Sequence, residues 1–121
     1  MAETTQQKPP ICLYTDGASS GNPGPGGYGV VLRCGTYEKE MSEGFSLTTN
    51  NRMELLGVIT GLEALKKSCE VEVISDSKYV TDAFNQNWVE NWIQKGWRTS
   101  TNKPVKNIDL WKRLIPLVNH H

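Results

Sequence analysis

The sequence predicts an α/β fold on a mixed sheet: an antiparallel three-strand meander, parallel pairing with a later strand, and flanking helices. Three observations carry this expectation. Strand-like segments recur three times in succession, an amphipathic helical period follows them, and a short β-branched run follows the helix. A strand, a crossover helix and a further strand in one sheet imply parallel pairing through a right-handed connection.

Residues 1–10, "MAETTQQKPP", are polar and end in Pro-Pro, which predicts a disordered or extended leader ahead of one domain over 11–121. "ICLYTDG" then alternates, with Ile11, Leu13 and Thr15 facing one way and Cys12, Tyr14 and Asp16 the other. It predicts a strand with its acid at the C-terminal end. "GGYGVVLRCG" and "YEKEMSEGFSL" predict two more strands with a short turn near Cys34-Gly35.

The period changes in "TTNNRMELLGVITGLEALKKSCE". Leu55, Val58, Ile59, Leu62 and Leu65 recur at helical spacing, and Lys66-Lys67 suit the negative end of the helix dipole. Asn51 is the expected N-cap, which puts Glu54 at the third helical position. "VEVIS" predicts a buried strand that ends at Asp76 and pairs in parallel with the first, most apolar strand. "SKYVTDAFNQ", "NWVENWIQKG" and "NIDLWKRLIPLV" predict short helices, the last two separated by the polar, basic loop "WRTSTNKPVKN".

A chain of 121 residues is long enough to close one core without staples. Thirteen basic residues balance thirteen acidic ones, so a polyanionic ligand must be held by local patches rather than a global field. No apolar run approaches the ~20 residues that span a bilayer, and the N-terminus has no signal-peptide pattern, which predicts a cytoplasmic protein without a membrane partner. Cys12, Cys34 and Cys69 are widely spaced with no zinc-site pattern and are expected to be small buried hydrophobes.

Parallel pairing of the first strand with the one ending at Asp76 brings Asp16 and Asp76 to the same end of the sheet, where ligand crevices of α/β sheets lie. Glu54 reaches that crevice if its helix begins over the first strand. Taken singly, an Asp at a strand end is a turn former and a Glu at the third helical position completes a capping box. Taken together, three carboxylates repel one another unless divalent cations neutralise them. Hard oxygen ligands suit Mg²⁺ or Mn²⁺, and two ions about 4 Å apart activate water and stabilise a leaving oxygen in phosphodiester hydrolysis.

"YTDGASSGNPGPGGYG" invites comparison with phosphate-binding loops. No Lys lies between Asp16 and Arg33, as a P-loop requires, and a strand follows the glycines where a dinucleotide fingerprint needs a helix. The glycines therefore predict a tight turn and close backbone approach beside the metal site.

"TDGASSGNPGPGGYG", "TTNNRMEL" and "SDSKYV", in this order, resemble type 1 ribonuclease H, and the resemblance runs from about Ile11 to the end. It implies a ribonuclease H-like sheet and endonucleolytic hydrolysis of the RNA strand of RNA–DNA hybrids with two Mg²⁺ ions, Mn²⁺ being a possible substitute. The products would carry 5′-phosphate and 3′-hydroxyl ends. It implies metal ligation by Asp16, Glu54 and Asp76, with Glu54 also close to the attacked ribose's 2′-hydroxyl. Asn22 and Asn50 would lie in the minor groove and Thr49 and Asn50 near a DNA phosphate, with 2′-hydroxyls distinguishing RNA from DNA.

Trp88, Trp92 and Trp97 fall where the family has a basic protrusion that grips DNA. Trp88 and Trp92 are one helical turn apart; core packing is expected for Trp92 and a DNA-sugar contact for Trp88. Lys95, Arg98, Lys103 and Lys106 are the expected phosphate-facing charges.

A complete member of the family continues with a fifth strand, a loop bearing a catalytic His, and a helix with a fourth acidic ligand. The sequence here stops at "LVNHH", and His120 and His121 are not that His. This predicts a piece of a longer protein, a fragment, or a chain completed by another, with the sheet edge beside Val71–Ser75 exposed. A monomer is expected of the complete protein, and association or strand exchange of a shortened one. Two other classes stay open: a hybrid-binding module without turnover, and a recombinase-type nuclease of the same architecture.

Overall fold

Alternating patterning between Ile11 and Thr48 becomes three strands, β1 (Ile11–Ser19), β2 (Gly24–Cys34) and β3 (Tyr37–Thr48). Helix α1 (Asn50–Glu63) leads to β4 (Val71–Ser75), and α2 (Lys78–Asn85), α3 (Trp88–Gln94) and α4 (Ile108–His120) follow. The computed structural model describes residues 11–65, 70–75, 77–99 and 101–120. Sheet order is β3-β2-β1-β4, with β1–β2 and β2–β3 antiparallel and β1–β4 parallel. The expected meander, crossover and choice of β1 as the parallel partner are all present.

Helix α1 covers the face that carries Leu13 and Thr15 of β1 and their partners Leu32 and Val30 of β2, all buried. Gly61 lets it lie close: a β-carbon there would stand 2.3 Å from Leu13 Cδ1. Leu55, Val58, Ile59 and Leu62 fill the layer beneath and beside it, and Trp111 and Leu114 of α4 join the same core. By strand alternation Tyr14 and Asp16 point to the opposite face, where the Arg33 guanidinium lies 5.7 Å from the Tyr14 ring.

Four sequence-based expectations need correction. First, β1 does not end at Asp16; it runs on to Ser19, paired with β2 through Gly26. Among the described residues its pairing with β4 runs as far as Thr15–Ser75. Second, β4 is not buried: it has a β partner on one side only among the described residues, and Glu72, Val73 and Ile74 are exposed. Third, Thr49 and not Asn51 caps α1, accepting from Arg52 N at 3.3 Å, so Glu54 is the fifth helical residue and completes no capping box. Fourth, Cys12 and Cys34 are half-buried: Cys12 shares with Tyr14 the face away from α1, and Cys34 is the last residue of β2, at the turn into β3. Lys66, Lys67, Cys69, Asp76 and the leader lie outside the described residues.

Candidate active site and nucleic-acid interface

Among the described residues β1 has no partner on its β4 side beyond the Thr15–Ser75 pair, and the start of α1 lies beside this stretch. Gly17, the residue after Asp16, makes this compact. A β-carbon there would lie 2.7 Å from Met53 C and 2.8 Å from Glu54 N, so only glycine lets the start of α1 rest on β1. Glu54 then bridges the gap. Its Oε1 accepts from Gly17 N at 3.3 Å and its Oε2 from Ser75 Oγ at 3.4 Å.

The Glu54 carboxylate is thus held between the residue following Asp16 and the residue preceding Asp76. Asp16 itself is exposed and borders the open face of the sheet together with Gly29 and Ser42. Asp76 lies outside the described residues, and among those described no three His, Cys, Asp or Glu side chains converge as a metal set. The donors that are described, two carboxylates at one strand edge, are the hard oxygen chemistry that Mg²⁺ or Mn²⁺ takes, so the residues present fit such an ion.

Beside this edge the β1–β2 connection meets the helix N-terminus. Asn50 N donates to Asn22 Oδ1 at 3.0 Å, while Ser19 N donates to Asn50 Oδ1 and Ser19 Oγ lies 2.9 Å from the same oxygen. Ser19 Oγ is also 3.1 Å from Asn22 Oδ1. With both amide oxygens engaged by protein donors, the Nδ2 groups of Asn22 and Asn50 are the remaining polar ends of two exposed side chains. Thr49 is the cap of the same helix. The three residues singled out from sequence are therefore brought together, and Ser19, which sequence reasoning passed over, organises them.

A second surface forms on α3 and the loop after it. Trp88, Lys95 and Arg98 line one groove with Asn91, Trp92 and Thr99. Trp92 meets the fully buried Trp111 edge-on at 5.3 Å, whereas Trp88 lies at 6.3 Å from Trp92 on the outer side of the stack. The basic loop is ordered by its backbone: Val105 N donates to Trp97 O, Thr99 N to Lys103 O, and Val105 is buried. Lys103 and Lys106 are exposed on it, and Lys112 Nζ lies 5.5 Å from the Trp97 ring.

Arg52 and Ser75 also escaped the sequence reading. Gly17 did not: the glycines of its stretch are expected to allow close backbone approach, and its own signal is a glycine inside an alternating strand. Arg52 carried none, since its partners Asn107 and Asp109 are 55 and 57 residues away.

Comparison with known proteins agrees with this architecture. A mixed four-stranded sheet of this order with flanking helices is the ribonuclease H-like class: LC9-RNase H1, described as a type 1 RNase H with the type 2 active-site motif, superposes with TM-score 0.77 at 30% identity, over 95% of this chain and 60% of that one. LC11-RNase H1, solved in complex with an RNA/DNA hybrid, superposes with TM-score 0.63 at 28% identity, over 91% of this chain and 75% of that one. The RNase H family model matches residues 8–121. Ribonuclease H of Enterobacter sp. (strain 638) is 54% identical over 109 residues, which cover 90% of this chain and 70% of that protein. The chain belongs to the RNase H family and is an enzyme of the ribonuclease H type. No described helix is long and apolar enough to cross a membrane.

Proposed function

We propose that the protein hydrolyses the RNA strand of RNA–DNA hybrids endonucleolytically, at the β1 edge beyond the Thr15–Ser75 pair, and that Asp16, Glu54 and Asp76 hold divalent cations there. The observation that supports this most is the setting of Glu54, hydrogen-bonded by Gly17 N and Ser75 Oγ. Those bonds orient the carboxylate beside the last described β1–β4 pair, Thr15–Ser75.

Two bound Mg²⁺ ions, with Mn²⁺ as a substitute, would supply Lewis acidity for the attacking water and the leaving oxygen. The chain's own part is positioning. Asp16 and Asp76 would complete the donor set with Glu54, which, held from two sides, would stay within reach of the 2′-hydroxyl of the attacked ribose. A water oxygen forms the new bond to phosphorus as the P–O3′ bond breaks, which leaves a 5′-phosphate and a 3′-hydroxyl. Asn22 and Asn50 present N–H donors to the minor groove, where acceptors occur on every base pair, so binding would depend little on sequence. The Trp88–Lys95–Arg98 groove would hold the DNA strand through a sugar contact and phosphates.

Asp16→Asn tests the reading against a module that binds hybrid without cutting it. Hydrolysis should fall by at least about a thousandfold, as for loss of a group needed only in the transition state, while hybrid affinity stays or rises with the lost negative charge. Undiminished cleavage by Asp16→Asn refutes the assignment. Binding without cleavage in the wild type as well favours the non-catalytic module.

A further inference from the structure

A side-chain network ties the first turn of α1 to the start of α4. Arg52 N closes the Thr49 cap, and the Arg52 guanidinium forks onto Asp109, Nη1–Oδ1 at 3.1 Å and Nη2–Oδ2 at 2.8 Å. Nη1 also donates to Asn107 Oδ1 at 3.1 Å. Asn107 Nδ2 donates onward to Tyr79 Oη at 3.2 Å, and that oxygen accepts from Trp111 Nε1 at 3.0 Å. Trp111 in turn meets Trp92, and Trp92 meets Trp88. One contiguous path therefore runs from the Thr49–Asn50 end of α1 to the Trp88–Lys95–Arg98 groove.

The Asp109 side chain is 64% exposed, so the ion pair by itself adds at most a small stabilisation. What a planar fork on a carboxylate supplies is orientation. Here it fixes how α1 sits relative to the end of the basic loop, and a stiff duplex that touches two sites binds best when their spacing is already set.

We propose that Arg52 is a positioning residue for hybrid cleavage, its fork onto Asp109 and Asn107 holding the α1 site and the α3 groove at the spacing of a single duplex. The inference rests on the proposed hybrid-cleaving function. It separates cleanly from two simpler roles. If Arg52 only attracted phosphate, Arg52→Lys would suffice; if Asp109 only repelled the polyanion, Asp109→Asn would tighten binding.

The test compares Arg52→Lys and Asp109→Asn with wild type on a capped hybrid of about 5 base pairs and one of about 14, roughly 17 and 48 Å long at about 3.4 Å per step. Only the longer one can span a domain about 30 Å across. Both variants should raise KM for the long hybrid about tenfold, leave kcat and the short hybrid within about twofold, and reduce the salt slope of binding by at least about one. Near-UV circular dichroism and Tm close to wild type exclude general unfolding. Tighter binding by Asp109→Asn, wild-type behaviour of Arg52→Lys, or equal losses on both lengths overturns the inference alone. Wild-type protein that cleaves neither hybrid overturns the function on which it rests, and the inference with it.

Discussion

Gly17 donates its amide hydrogen to Glu54 Oε1 at 3.3 Å, from a position where a β-carbon would press into the backbone of Met53 and Glu54 at 2.7 and 2.8 Å. The same absence of a side chain lets the helix land and lets its carboxylate be held. Gly17→Ala must therefore push the start of α1 away from β1, because the obstructing atoms are backbone. We expect a loss of about 1–3 kcal/mol in stability from overpacking and of roughly a hundredfold in kcat from a displacement of order 1 Å at Glu54. Urea denaturation and steady-state cleavage check the two parts; wild-type activity in Gly17→Ala would show that Glu54 is not positioned this way.

The two tryptophans of α3 should separate in their effects. Trp92 is half-buried and packs edge-on against the fully buried Trp111, so Trp92→Ala should cost about 3 kcal/mol of stability. Trp88 borders the groove with Lys95 and Arg98, and Trp88→Ala should weaken hybrid binding about tenfold with a smaller stability loss. Measuring Tm and hybrid Kd for both variants checks the ordering; reversal of either one contradicts it.

Much of this was legible in sequence. The meander, the crossover helix and the parallel partner follow from two periodicities and a handedness rule. The grouping of Asn22, Thr49 and Asn50, and of Trp88, Lys95 and Arg98, follows from motif resemblance. What was hidden depended on tertiary neighbours. "VEVIS" taken alone suits a buried or an edge strand equally, so its motif misled, while the separate expectation of an exposed edge beside Val71–Ser75 agrees with the exposure of Glu72, Val73 and Ile74. The continuation of β1 past Asp16 was masked by Gly17 and the Gly21–Gly24 stretch after it, which read as the start of a turn although Gly17, Ala18 and Ser19 are still paired with β2. The cap fell to Thr49 because both Thr49 and Asn51 are good N-caps, and only the backbone, extended at Thr49, decides between them.

Thr15 Oγ1 is buried without a hydrogen-bond partner among the described residues. A hydroxyl in that state costs its desolvation without return, so Thr15→Val, of the same shape, should stabilise the protein by about 1 kcal/mol. The urea midpoint should rise at unchanged slope. A fall in the midpoint would mean that the hydroxyl finds a partner in solution.

Acid stability should depend on Glu63. Arg113 donates to it, Nε–Oε2 at 2.8 Å, and holds its carboxyl below the ordinary 4.5. A carboxyl depressed on folding gives stability that is complete above its unfolded value and disappears as pH falls through the lower folded value. Glu63→Gln should therefore lose a contribution of under about 1 kcal/mol near neutrality, the range of exposed ion pairs, and show a shallower decline below about pH 4.5 than the wild type. Denaturation across pH 3–7 measures it, and parallel curves would remove Glu63 from the acid transition.

The central claim is cutting of RNA in a hybrid by a carboxylate site at the β1 edge. It is tested most directly by giving the protein a hybrid labelled on both strands, beside duplex DNA and duplex RNA, with Mg²⁺ and again with chelator. The account predicts fragments of the RNA strand of the hybrid alone, ending in 3′-hydroxyls, and none in chelator. Cutting of the DNA strand, cutting of duplex DNA, or RNA cleavage that survives chelation would contradict it.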